Sequence, residues 1–324
     1  MNYKKFFELA KAKGIQDAEL YIRKSYALSI SLFHGEVDNY SSNNGFAVIA
    51  RGLVNGKFGA ASCDVWNQEK AEYLINEIAN NGKVIENDDP AFIFEGSPKY
   101  KKVSTFNKDL PNVPVDVKLQ KMHELEDKIK NADEKITEVQ GVYYDEISEE
   151  VLLMNSKGLK LSQKSNYFAY VGAAVAKLDN QVKTSFEIFL DNDFSKFNVD
   201  DLAKKVVDEA LSQLGGEACD SGNYKAVLAP EVVSSLMQAY ISSADAEEVQ
   251  KRSSLFLGKL NTKIASNKVT IEDRPLDKTL FARSFDDEGV ATYNKAIIKK
   301  GVLETYLYNL TTAAKDNTTT TGNG

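Results

Sequence analysis

Histidine is almost missing from this sequence: His34 and His123 are the only two among 324 residues. A catalytic zinc usually takes about three protein ligands, most of them imidazoles. General-base catalysis leans on histidine as well, so the chain has little material for either role. Cysteine is equally scarce. Cys63 and Cys219 lie far apart, which excludes a disulfide framework and suits a reducing, cytoplasmic compartment. No stretch approaches the ~20 consecutive apolar residues of a membrane span. The start, Met1 to Phe7, is basic, but Glu8, Lys11 and Lys13 interrupt it before any apolar segment forms, so a secretory signal is not expected. Excess positive charge is absent too. A net charge of −7 disfavours direct nucleic-acid binding, which needs clustered Lys and Arg to displace phosphate counterions. The densest basic run, Lys99, Lys101 and Lys102, reads as a solvated loop. No GxGxxG or GxxxxGK[ST] loop is present, which leaves nucleotide binding without support.

What is present is alternation. Leu20, Ile22, Leu28, Ile30 and Leu32 fall on every second position, the mark of a half-buried strand. Phe46 to Ala50 continues the strand character, and Asn55-Gly56 between apolar flanks predicts a hairpin. Tyr3 to Lys13 reads as a helix stopped by Gly14. Asn67 to Asn81 places Ala71, Leu74, Ile75 and Ile78 on one helical face, with Asn67 as cap and Gly82 as stop. Residues 86–114 hold four of the six prolines and read as a surface connector. Asp116 is expected to cap a helix reaching about Ala132. Strands return over 136–190, with a turn at Asn155 to Gly158. A helix over Asp200 to Leu214 carries Ala203, Val206, Val207 and Ala210 on one side. Beyond Gly222, Ala226-Val227-Leu228 reads as a short buried strand. Pro230 opens a helix whose apolar side is Val233, Leu236, Met237, Tyr240 and Ile241. Val269 to Ile271 is a strand, Lys299-Lys300-Gly301 turns a last hairpin, and Thr318 to Thr321 is a polar tract. No fixed-period repeat is visible. Helices mixed with antiparallel strands give an α+β fold. The length suits two domains or one large one. The elements divide into an N-terminal part (1–110), a central part (111–218) and a C-terminal part (219–324).

The candidate sites are few. His123-Glu124 has Asp127 and Lys128 where a zinc helix would need a second histidine, so both histidines read as structural. Ser242-Ser243 and Ser253-Ser254 lack a GxSxG elbow. Asp286-Asp287-Glu288-Gly289, with Glu272 and Asp273 earlier, is the densest acidic cluster. It fits a hydrogen-bonded turn, an interface or an oxygen-rich metal site. Adjacent side chains there are expected to point to opposite faces.

Several strings, in order, carry a resemblance. They run Ala18-Glu19-Leu20-Tyr21, Gly35-Glu36-Val37 and Asn55-Gly56-Lys57-Phe58-Gly59 in the first part. Later come Gly222 to Pro230, Ser253 to Leu260, Val269 to Asp273, Phe285 to Val290, Gly301-Val302-Leu303 and Thr321-Gly322-Asn323-Gly324. This ordered set resembles the TldD/PmbA family, long called modulators of DNA gyrase. In that family the TldD type carries an HExxxH zinc helix after the proline-initiated start. At the matching positions this sequence has Gln238, Ala239 and Ser243. Neutral glutamine is a poor zinc ligand, and alanine cannot act as a base. The resemblance is therefore to the PmbA (TldE) type. It implies a cytosolic two-subunit metallopeptidase in which a TldD-like, zinc-bearing partner cuts peptides. This chain would then hold no zinc, have no catalytic residue and shape the cleft. Asp273, Asp286, Asp287, Glu288, Gly289, Gly301, Thr321, Gly322, Asn323 and Gly324 would be structural or interface positions. Family members continue past the last motif into a strand-rich segment, so the resemblance also implies an incomplete C-terminal part. The alternative is a homo-oligomeric peptide-binding or regulatory protein without protease activity. A stand-alone hydrolase using a metal at Asp286 to Glu288 is a third reading.

Overall fold

The computed structural model describes residues 2–324. Its first two-thirds repeat one pattern, helix–strand–strand–strand–helix, twice. The first copy is α1 (Tyr3–Ala12), β1 (Ala18–Phe33), β2 (Glu36–Val54), β3 (Lys57–Cys63) and α2 (Gln68–Val84). The second is α3 (Val115–Lys130), β4 (Ile136–Asn155), β5 (Lys160–Leu178), β6 (Gln181–Asp191) and α4 (Val199–Ser212). The six strands form one antiparallel sheet in the order β3-β2-β1-β4-β5-β6. β1 and β4 are the seam, paired from Glu19↔Asn155 to Leu32↔Val142. The sheet thus crosses the division expected near residue 110. The duplication is one of topology, which needs only the same order of amphipathic elements, so no sequence period announces it.

β1 shows how the alternation builds two cores on one sheet face. Leu20 and Ile22 enter a core with Phe6, Leu74 and Ile78 from α1 and α2. Leu28, Ile30 and Leu32 enter a second core with Met122, Ile129 and Val206 from α3 and α4. Burying each such side chain contributes roughly 1.5–3 kcal/mol. The second core also holds an ion pair. Lys118 Nζ lies 2.6 Å from Glu146 Oε2, and the Tyr144 hydroxyl donates to the same oxygen.

Local signals account for most boundaries. Asn67 Oδ1 accepts from Lys70 N at 2.8 Å, and Asn198 caps α4 in the same way. Asn55 and Gly56 both have positive φ, as a type I′ hairpin turn requires. Two expectations at helix ends are corrected. α2 runs through Gly82 to Val84, because Gly82 and Gly59 let helix and strand touch. A Cβ on Gly59 would lie 1.9 Å from the Ile78 carbonyl oxygen. Pro114 is the cap position of α3, and Asp116 sits inside its first turn, where a carboxylate complements the helix dipole.

The last region holds α5 (Pro230–Ile241), α6 (Ala246–Gln250), β7 (Ile271–Asp273), β8 (Lys295–Lys299), β9 (Val302–Leu303) and α7 (Leu310–Lys315). β7, β8 and β9 form a small antiparallel sheet. Phe256, Ile297, Ile298, Leu303 and Tyr306 centre its core. One expectation fails here. Residues 226–228 form no strand, and Val227 is fully exposed. α5 has no fully buried residue; of its apolar side, Met237 and Ile241 are half-buried, Ile241 packing on this region's core, and the rest is exposed. The polar tract is tied into the fold. Thr321 is buried, and its hydroxyl accepts from Tyr308 N at 2.6 Å.

Candidate functional site

The cores occupy one sheet face, and the 221–324 region docks on part of the other. Leu153 is fully buried on that second face, and a Cβ on Gly289 would reach within 2.8 Å of Leu159 and 3.3 Å of Leu153. Gln163 on β5 stands in for a strand partner. Its Nε2 donates to the Ala282 carbonyl at 2.8 Å, and its Oε1 accepts from Ser284 N at 3.1 Å. The connector closes the joint from the side. Tyr100 donates to the Gly289 carbonyl at 2.8 Å, and Ala291 N donates to Ser97 Oγ at 2.9 Å.

Asp286 organises the docked surface. Its Oδ1 accepts from Glu288 N and Val290 N at 3.0 and 2.9 Å, and its Oδ2 accepts from Gly324 N at 2.9 Å. A short carboxylate at the head of a turn suits this pattern, because it reaches amides two and four residues on. The side chain is buried, and burial raises its pKa despite those three donors. Asp287 points the other way, exposed, paired with Arg283 and accepting from the Tyr21 hydroxyl at 3.2 Å. Burial, then the Asp287 charge, pushes that hydroxyl up to about 12. Asn323 joins the next strand, its Nδ2 donating to Asp273 Oδ2 at 3.0 Å. Lys295 Nζ, 2.7 Å away, neutralises Asp273. Gly322 has φ +69° and packs on the Ala291 backbone, a conformation glycine adopts without strain.

Asp273, Asp286, Gly322, Asn323 and Gly324 therefore converge on one cavity of about 630 Å³, which Ser242 at the end of α5 also borders. The structure brings these sequence candidates together and leaves others out. Gly301 lies in the β8–β9 turn. Gln238 and Ala239 are exposed on α5. Ser243 is not on that helix, as the HExxxH spacing led us to expect. α5 ends at Ile241, and Ser243 is buried in the following 3₁₀ turn, Ser242–Ala244. His34 and His123 are both exposed, on the β1–β2 turn and on α3.

Among the described residues no three His, Cys, Asp or Glu side chains are grouped closely enough to hold a metal ion. Asp273 and Asp286 are taken up by amides, Asn323 and Lys295.

Sequence reasoning missed the sheet side of this site. Glu19 and Arg51 are register partners on β1 and β2, with Arg51 Nε 2.8 Å from Glu19 Oε1. Glu19 is 2 % exposed. Its odd position in β1 was legible as the face opposite Leu20. That the face is covered became visible only with the third region in place.

Three comparisons bear on this arrangement. Family models described as PmbA/TldA metallopeptidase domain 1, central domain and C-terminal domain match residues 18–81, 108–214 and 221–324. A metalloprotease of Methanocaldococcus jannaschii is 27% identical over 318 residues, spanning 95% of this chain and 69% of the relative. The metalloprotease PmbA of Escherichia coli O157:H7 is 23% identical over 325 residues, spanning 97% and 70%. Among solved structures, a protein of Thermotoga maritima described as a candidate modulator of a DNA gyrase superposes with TM-score 0.88 at 27% identity, covering 99% of this chain and 73% of that one. TldE from Thermococcus kodakarensis superposes with TM-score 0.86 at 21% identity, covering 99% and 73%, and shares the fold.

Proposed function

The chain belongs to the PmbA/TldD metallopeptidase family, and on that premise we propose that it is the non-catalytic subunit of a cytoplasmic two-chain peptidase. Its partner is a TldD-like chain that carries the zinc and cuts the peptide. The observation that carries this reading is the chemistry at the positions matched to the zinc helix. Gln238, Ala239 and Ser243 offer neither an imidazole nor a carboxylate, and Ser243 is turned into the protein. In the same region the motif residues Asp273, Asp286, Gly322, Asn323 and Gly324 still line a polar cavity, as a cleft-shaping subunit requires. Glu288 accepts from Leu310 N, and Thr321 holds the Tyr308 amide, in the same region; Asp287, Gly289 and Gly301 lie in its turns.

An extended peptide also has somewhere to lie. β6 is an edge strand whose Val182, Phe186 and Ile188 are exposed. Strand addition there would supply main-chain hydrogen bonds, with alternate side chains on the apolar row. Among the described residues no helix is long and apolar enough to cross a membrane, and the net charge of −7 argues against direct nucleic-acid contact.

The test is to mix the purified chain with a zinc-bearing TldD-type subunit and follow both size and peptide cleavage. The reading predicts a stable complex and faster cleavage than by the partner alone. No complex and unchanged cleavage would sink it. Self-association of this chain together with peptide binding would then favour the homo-oligomeric alternative.

A further inference from the structure

The two halves of the six-stranded sheet match strand for strand, and only one of them is closed. β2 and β5 are both 19 residues long. Each turns through a two-residue loop into a shorter neighbour, Val54↔Lys57 for β3 and Leu178↔Gln181 for β6. β3 pairs β2 only from Val48 to Val54, and β6 pairs β5 only from Phe168 to Leu178. The hairpin thus leaves the N-terminal half of each long strand with a bare outer edge. On β5 the connector fills it. Thr105 forms a parallel bridge with Ser165, and Asn166 N donates to the Thr105 carbonyl at 3.1 Å. The Thr105 hydroxyl donates to the Lys164 carbonyl at 2.8 Å. Asn107 N donates to Asn166 Oδ1 at 2.7 Å, and Asn166 Nδ2 donates back to the Asn107 carbonyl at 2.8 Å.

On β2 the same edge is empty. Ser41 stands thirteen residues before Val54, as Ser165 stands thirteen before Leu178. No strand or bridge among the described residues pairs with this outer edge, and residues 36–44 are exposed. Counting in twos from Val54, the amides and carbonyls aimed outward are those of Asn44, Ser42 and Tyr40. Exposed edges are usually blunted by charge or proline, and residues 39–45 contain neither. We propose that residues 39–45 of β2 are a docking edge for an extended polypeptide segment rich in Lys or Arg, which adds there as the connector adds to β5. The counterpart edge shows the binding mode, and the segment on it is itself basic, with Lys99, Lys101 and Lys102 leading to Thr105. Glu36 and Asp38 flank the open run, and no Lys or Arg lies between Glu36 and Ala50. Tyr40, paired with Ile30 and 53% exposed, offers an apolar contact to one side chain of the added strand. This edge is distinct from β6, which lies at the far end of the sheet.

Hydrogen exchange on the full chain, with and without a synthetic peptide copying residues 99–107, tests this. At about 1 mM peptide, exchange over 39–45 should slow about tenfold or more, while exchange over β6 stays the same. A peptide with its lysines changed to glutamate should slow it by less than about threefold. Ser42→Pro removes one outward donor and leaves the ladder to β1 paired, so it should abolish the slowing. Glu36→Lys with Asp38→Lys leaves the backbone edge whole and gives an independent reading, with the slowing cut to less than about threefold. No slowing over 39–45 in the wild-type chain, slowing over another strand instead, or slowing that survives both variants overturns the proposal. Self-association of the chain that Ser42→Pro abolishes also overturns it, by assigning the edge to a second copy.

Discussion

α2 and α5 carry the same kind of apolar stripe, and the fold treats them differently. α2 buries Ala71, Leu74, Ile75 and Ile78 against the sheet. α5, which carries Gln238 and Ala239, has no fully buried residue; Ile241 is half-buried, and Leu236 and Tyr240 stand exposed. The contrast extends to the regions around them. The six-stranded sheet is held by two large apolar cores. The 221–324 region has one smaller core, and side chains such as Asp286 and Thr321 tie its turns together. An amphipathic pattern therefore specifies a helix, while burial depends on whether another surface arrives to cover it.

Three substitutions can break or sharpen that comparison. Ile78→Ala should have the largest effect, a loss of about 2–5 kcal/mol from the empty volume left under α2. Denaturant unfolding followed at Trp66, which packs against Phe6 in the same core, would read it. A loss below about 1 kcal/mol would mean that this core is not close-packed. Thr321→Val should cost less, about 1–3 kcal/mol, by leaving the buried Tyr308 amide unpaired. That loss should appear as faster amide exchange within 221–324, with the sheet unchanged. Equal loosening of the sheet would show that the two regions unfold as one unit. Leu236→Ala should have the smallest effect, within about 0.5 kcal/mol. A cost comparable to that of Ile78→Ala would show that α5 is covered in solution.

Legibility followed the same divide. Period-two alternation identified β1, and the Asn67 cap and the Asn55-Gly56 turn placed their elements to within a residue or two. These signals are local, so one chain segment suffices to read them. Gly82 was misread as a stop because its purpose is non-local, a close approach to Gly59. The Val227 strand failed for the same reason, since an apolar triplet becomes a strand only beside a neighbour. At the site, the acidic turn at Asp286 was legible, with Asp286 inward and Asp287 outward. Its convergence with Asp273 and Asn323 was not, because it depends on how β7 and the last residues meet. Glu19 and Arg51 pair only through the register of β1 with β2, which the hydropathy pattern does not encode.

The account's central claim is that metal and catalysis reside in another subunit. The most direct measurement is the zinc content and peptide-cleaving activity of this chain purified alone, then of its complex with a zinc-bearing TldD-type chain. The account predicts no stoichiometric zinc and no cleavage for the chain alone, with both present in the complex. About one tightly held zinc per isolated chain, together with peptide cleavage, would contradict it.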